Sequence, residues 1–174
     1  NPNYAEAYNN LGVALQKLNK LDDAILNYKK AIELKSNFIK AFHNLGNAYI
    51  DLEKPENSLK YFNKALELNP LYADAHNGLG IANEKLGKKE EAIKCYKKAI
   101  EIEPKETEFY FNLGTLLSAQ SNYDEAIINL KKSIELNNGY EKAYNNLGNI
   151  FNILGMFEEA NNVYQQAIKI KPNY

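Results

Sequence analysis

Asparagine recurs in this sequence at a constant interval, and its amide is the side chain here best suited to hold another chain. Asn10, Asn44, Asn112 and Asn146 stand at multiples of 34 residues from one another, and Gly78 takes the one place where the series breaks. An amide offers donors and an acceptor together. It therefore pairs with the C=O and N–H of a peptide unit whatever side chain that peptide bears. One residue earlier come Asn9, His43, Asn77, Phe111 and Asn145; three residues later come Val13, Asn47, Ile81, Thr115 and Asn149. Asn9, Asn10, Asn44, Asn47, Asn77, Asn112, Asn145, Asn146 and Asn149 form the candidate peptide-binding set, with Phe111 as an apolar anchor. A second reading stands beside it: amides that fill their slots in a chain rich in Asn everywhere. Phe111 likewise suits a core or solvent-facing place as well as an anchor.

Other reactive side chains are sparse. His43 and His76 lie one period apart, but a metal site needs more ligands than two, and packing or groove lining accounts for both. Cys95 is the only cysteine, so no intrachain disulfide and no cysteine metal site can form. It reads as a small buried residue and fits the cytoplasm or another reducing intracellular compartment. Lys29-Lys30, Lys97-Lys98 and Lys131-Lys132 recur in phase, with Glu33, Glu67, Glu101 and Glu135 close behind. They form either a basic stripe for an acidic partner or a solvated face whose charges offset one another. No nucleophile–base pair, phosphate-binding glycine loop or pair of catalytic carboxylates is visible. No catalysis, metal or cofactor is expected. The 21 basic residues, all Lys, face 22 acidic ones for a net charge of -1. Nucleic-acid binding would need a strong basic excess and is not expected. No apolar run approaches the ~18 residues of a membrane span.

The elements that must carry these residues follow from the same period. Leu-Gly falls at 11-12, 45-46, 79-80, 113-114 and 147-148, and a period of this length marks a repeat architecture. The chain divides into a tail at 1–4 and repeats at 5–38, 39–72, 73–106, 107–140 and 141–174, in one continuous array. The tail Asn1–Tyr4 matches Lys171–Tyr174 in phase. The chain thus reads as a fragment of a longer protein, with open ends through which copies could self-associate. Helical spacing of Tyr8, Leu11 and Leu15, then of Ile25, Tyr28 and Ile32, gives two helices per repeat. Asn19, Gly87 and Gly155 tolerate the left-handed backbone of a tight helix end. Glu53 and Ser121 fit less well there, so looser or differently built turns are expected at those two places. Helix-interior glycines at 12, 46, 80, 114 and 148 imply close helix contact, filled by Tyr28, Phe62, Tyr96, Leu130 and Tyr164.

A 34-residue helix–turn–helix unit with an aromatic, Leu-Gly, a large residue, Ala, an aromatic, Ala and Pro resembles the tetratricopeptide repeat. The fifth repeat carries this as Tyr144, Leu147, Gly148, Phe151, Ala160, Tyr164, Ala167 and Pro172. The second carries Phe42, Leu45, Gly46, Tyr49, Ser58, Phe62, Ala65 and Pro70. The third departs most, with His76, Gly78 and Asn83 at its aromatic, groove and large-apolar slots. The resemblance implies an all-α solenoid, a right-handed superhelix of five units. First helices would line a concave groove that binds an extended peptide or partner segment, without catalysis. The Asn series is similar to the asparagine ladder in the repeat arm of O-linked N-acetylglucosamine transferases. That implies a second possibility: the substrate-recognition arm of a larger glycosyltransferase. An architectural segment of a large assembly is a third. The family's carboxylate clamp needs a first Lys where this chain has Asn9, His43 and Asn77, and later an Arg, of which the chain has none, so that role is not expected.

Overall fold

The computed structural model describes residues 2–172, with side chains from Tyr4 onward. Asn1, Asn173 and Tyr174, which belong to the expected tail and to the end of the fifth repeat, lie outside them. The described residues form ten α-helices and no strand: α1 Pro2–Lys17, α2 Leu21–Leu34, α3 Ile39–Asp51, α4 Pro55–Leu68, α5 Ala73–Lys85, α6 Lys89–Ile102, α7 Thr107–Ala119, α8 Tyr123–Leu136, α9 Glu141–Ile153 and α10 Phe157–Ile170. The fold is all-α and solenoid-like, one hairpin of helices per 34 residues. Pro2–Tyr4 form the start of α1. The helices fall into two compact bodies, Asn1–Ile102 and Glu103–Tyr174. In the first, α1 packs on α2, α3 on α4 and α5 on α6, and the pairs join through α2·α3 and α4·α5. In the second, α7·α8 and α9·α10 join through α8·α9.

All five hairpin turns are built alike. Asn19, Glu53, Gly87, Ser121 and Gly155 each take positive φ, between 56° and 74°. The following N–H reaches back to the helix: Lys20 to Leu15 O at 2.9 Å, Lys54 to Tyr49 O at 2.9 Å, Asn122 to Leu117 O at 3.0 Å. The expectation of different turns at Glu53 and Ser121 is therefore corrected. Packing of the paired helices fixes the geometry, and these two side chains bear the strain. Left-handed backbone costs a non-glycine residue ~1–2 kcal/mol. Glu53→Gly is thus expected to stabilise the protein by about 0.5–1 kcal/mol after the extra unfolded-state entropy of glycine is subtracted. Asn19→Gly should give less, because Asn already tolerates this region. Urea denaturation of both variants checks the order; an unstabilised Glu53→Gly would mean the turn carries no strain.

Large fillers pack against the helix-interior glycines. A Cβ built on Gly12 would lie 2.6 Å from the Tyr28 ring, and one on Gly46 would lie 2.7 Å from Phe62. Both rings are fully buried, so a side chain at either glycine would have to displace packed ring atoms. One core of the first body gathers Phe42, Ile50, Phe62, Ala65, Ala75, Leu79 and Ala82. Another gathers Ala24, Ile25, Tyr28, Leu45, Ala48 and Tyr49. On the outer surface, Lys30–Glu33, Lys64–Glu67, Lys98–Glu101 and Lys132–Glu135 pair three residues apart at 2.6–3.0 Å. Exposed pairs of this kind contribute little stability; they tie Lys30, Lys98 and Lys132 of the lysine stripe to a nearby Glu, while Lys29 and Lys131 lie over the Tyr49 and Phe151 rings.

Candidate functional site

The first helices meet one another, α1 with α3 and α3 with α5 in the first body, α7 with α9 in the second. The amides gather there, but they do not share one role. Asn10 is exposed, and Asn44 and Asn47 are half-buried. Asn9 is only 6 % exposed and Asn77 7 %, so both lie within the stack. Asn44 donates its Nδ2–H to Asn9 Oδ1 at 2.9 Å, tying α3 to α1. In the second body Asn146 donates to Thr115 Oγ1 at 2.9 Å, tying α9 to α7. Asn112 and Asn145 are half-buried beside it, and Asn149 is exposed, accepting the Tyr164 hydroxyl at 2.6 Å. Phe111 is half-buried and stands edge-on to Tyr140, with ring centroids 5.1 Å apart. Part of the amide series therefore joins neighbouring first helices, and part remains open to solvent.

Gly78 breaks the series for a reason of packing. It is buried, and a Cβ there would run into the Phe62 ring, which also lies against Gly46. The departures of the third repeat are absorbed locally. His76 Nε2 meets the Pro70 carbonyl at 3.0 Å, the same closure that the Tyr110 hydroxyl makes on Pro104 O at 3.2 Å. Asn83 donates to Cys95 Sγ at 3.9 Å. Cys95 is half-buried rather than buried, and burial raises its thiol pKa, which keeps it protonated and unreactive. Among the described residues no group of three His, Cys, Asp or Glu could hold a metal ion, and no helix is long and apolar enough to cross a membrane.

Between α1 and α3 lies an open cavity of about 370 Å³, lined by Val13, Gln16, Lys17, Tyr28, Asn44, Asn47 and Asp51. Its floor is a directed chain. The Tyr28 hydroxyl donates to Gln16 Oε1 at 2.7 Å, and Gln16 Nε2 donates to Asp51 Oδ2 at 2.6 Å. Gln16, Lys17 and Asp51 are absent from the amide series, although Gln16 falls one helical turn beyond Val13 on the same face. That spacing was the signal for them. Behind Asn47, the His43 Nε2 lies 3.2 Å from Asn47 Nδ2, and its ring packs on Phe62 and Tyr72. Burial lowers the His43 pKa against the opposing pull of Asp74 and Asn44. A neutral ring protonated at Nδ1 accepts from Asn47 at Nε2.

Burial, with the Asp51 charge adding to it, pushes the Tyr28 phenol up to about 12. An unfolded tyrosine titrates near ~10. The folded state thus holds this proton more tightly. The resulting stability is fully present below pH ~10 and is lost as pH rises through about 12. Tyr28→Phe is expected to cost ~0.5–1.5 kcal/mol at pH 8 and to flatten the loss of stability between pH 10 and 12. Denaturant titrations of both proteins at pH 8, 10 and 11.5 check this; parallel losses would place the alkaline sensitivity elsewhere.

A family model described as Tetratricopeptide repeat matches residues 5–38, 39–72 and 73–106, and a second of the same description matches residues 108–173. Among solved structures, a crystal structure of MamA is similar at 26% identity and a TM-score of 0.79, over 92% of this chain and 94% of that one. YrrB, described as a TPR protein with an unusual peptide-binding site, is 29% identical with a TM-score of 0.71, over 96% of this chain and 86% of that one. PilF of Pseudomonas aeruginosa, at 19% identity, shares the fold, with a TM-score of 0.88 over 96% of this chain and 76% of that one. No curated protein matches significantly in sequence.

Proposed function

Since this chain belongs to the tetratricopeptide repeat family, we propose that it is a protein-interaction scaffold whose first-helix face binds an extended peptide or partner segment. The observation that carries this reading is the open cavity between α1 and α3, with the amide side chains of Asn44 and Asn47 on its wall. Asn10 is exposed on the same helix as the cavity residues Val13, Gln16 and Lys17. In the second body the corresponding contacts would come from Phe111, Asn112, Asn145, Asn146 and Asn149. Amides that meet a peptide's backbone accept many sequences, so affinity would come from length of contact and selectivity from the pockets between amides. The similarity to YrrB, described as having a peptide-binding site, supports the same use of the fold.

The test is a peptide-array screen of the whole chain, repeated with Asn10, Asn44, Asn112 and Asn146 all changed to Ala. Because Asn44 and Asn146 also link helices, circular dichroism must show the variant folded. Loss of binding in a folded variant supports the amide contacts. Undiminished binding sinks them.

One observation favours an additional property, association between copies. On α10, Ile168 is 59 % exposed, and Tyr164 and Ala167 are half-buried where Tyr28 and Ala31 are fully buried. On α1, Leu11 is 49 % exposed where Leu45 is 0 % exposed against α2. Seating α1 of one copy on α10 of another would pair the same two registers that meet at the α2·α3 junction. Sedimentation velocity is expected to show concentration-dependent association that Ile168→Glu removes. A monomer at every concentration would refute it.

A further inference from the structure

We propose that Asn138, in the loop between α8 and α9, is a site of spontaneous deamidation, a slow covalent change that turns its amide into a carboxylate. The chain holds two Asn-Gly pairs, Asn77-Gly78 and Asn138-Gly139. Glycine in second place hinders the reaction least, because it carries no side chain. The amide nitrogen of the glycine attacks Asn Cγ. An N–Cγ bond forms, the Cγ–Nδ2 bond breaks, and Nδ2 leaves as ammonia with the glycine's amide proton. Water then opens the resulting five-membered imide at one of its two carbonyls. Opening at Cγ gives aspartate. Opening at the backbone carbonyl gives isoaspartate, whose main chain runs through Cβ and Cγ. Water enters, ammonia leaves, and nothing is oxidised or reduced.

The sequence does not separate the two pairs; their surroundings do. Asn77 is 7 % exposed and Gly78 is buried, both inside α5, and the Phe62 ring lies directly against Gly78. Helical geometry commits the Gly78 N–H to the backbone ladder. Ring closure at Asn77 therefore requires α5 to open, which uncovers the core that Phe62 shares with Ala75, Leu79 and Ala82. Asn138 and Gly139 are both exposed and lie in a turn. The turn is closed by the Tyr140 N–H on Asn137 O at 3.1 Å, and the Gly139 N–H is held by Asn137 Oδ1 at 2.9 Å. Opening an exposed turn costs far less than opening a core helix. The Asn137 amide is the local brake, since it occupies the hydrogen of the attacking nitrogen. At the same register the other repeats carry Ser36-Asn37, Pro70-Leu71 and Pro104-Lys105, none of them an Asn-Gly pair. Isoaspartate would add a main-chain atom inside the turn that Tyr140 closes on Asn137. Tyr140 stands edge-on to Phe111, so the change reaches a residue of the proposed binding face.

The experiment incubates the whole chain at pH 8, natively and in urea, until the urea sample has reacted. Tryptic digestion and mass spectrometry then separate the Asn, Asp and isoaspartate forms of peptides 65–85 and 133–142. In the native protein Asn138 is expected to deamidate at least about tenfold faster than Asn77, with isoaspartate among the products. In urea the two should react at similar rates, because both are then Asn-Gly pairs in an open chain. Asn137→Ala should speed the native reaction at Asn138, and Gly139→Ala should slow it. The added Cβ would meet Asn137 Oδ1 at 3.3 Å, the end of an exposed side chain that can shift, so the turn survives. Protein aged until it is mostly modified at Asn138 should show faster hydrogen exchange in the first turn of α9. Equal native rates at the two pairs, or no native reaction at Asn138, overturns the site. An unaccelerated Asn137→Ala overturns the brake, and unchanged exchange in the aged protein overturns the reach to Phe111.

Discussion

Phe62→Ala is expected to be the most damaging single truncation in the first body, costing ~3–5 kcal/mol. Three observations set the size. The ring is wholly buried. It joins side chains of α3, α4 and α5 in one core, with His43 5.8 Å away between ring centroids. Two of its walls are Gly46 and Gly78, which have no side chains to relax into the space. A cavity that cannot collapse sits at the upper end of the range for such changes. Because repeats are stabilised through their neighbours, hydrogen exchange should show α3, α4 and α5 losing protection first. A loss under ~1 kcal/mol by urea denaturation, or exchange that rises equally in all helices, would mean that Phe62 does not hold these helices together.

The second large effect is Gly78→Asn, the substitution that would complete the amide series. Helix propensity favours Asn over Gly by a few tenths of a kcal/mol. Packing opposes it, since the new Cβ meets a ring with no free space around it, and overpacking costs ~1–3 kcal/mol. The net expectation is destabilisation by about 1–2 kcal/mol. The tyrosine at the same register shows what differs. Tyr28 reaches Gln16 through its hydroxyl and coexists with Asn44 on the cavity wall. Phe62 has no hydroxyl, and buried Ile50 stands at the Gln16 register. Leu130 fills the Phe62 register in the fourth repeat. Combining Gly78→Asn with Phe62→Leu should therefore cost less than the sum of the two single changes. Chemical denaturation of the three variants gives the coupling. Strict additivity would show that the ring does not exclude a side chain at 78.

Those two variants also mark how far the sequence could be read. The 34-residue period, the ten helices and the register of glycine against aromatic filler follow from spacing alone, because each repeat must bury the same face on its neighbours. The turns at Glu53 and Ser121 did not follow from residue type. Propensity gives way where the packed helices dictate the backbone. Within the motif Tyr8-Asn9-Asn10-Leu11-Gly12 the two amides looked alike as letters, yet Asn9 is buried and accepts from Asn44, while Asn10 is exposed.

The sequence by itself determined the family, the all-α class and the positions at which amides recur. Only the tertiary structure decided which of those amides link helices and which stay open. It also placed Gln16, Asp51 and Lys17 around one cavity. Register is a property of one chain segment, whereas burial and the direction of a hydrogen bond depend on what the neighbouring helix presents. At Asn44 and Asn146 that neighbour takes an amide hydrogen; at Gly78 it leaves no room for an amide at all.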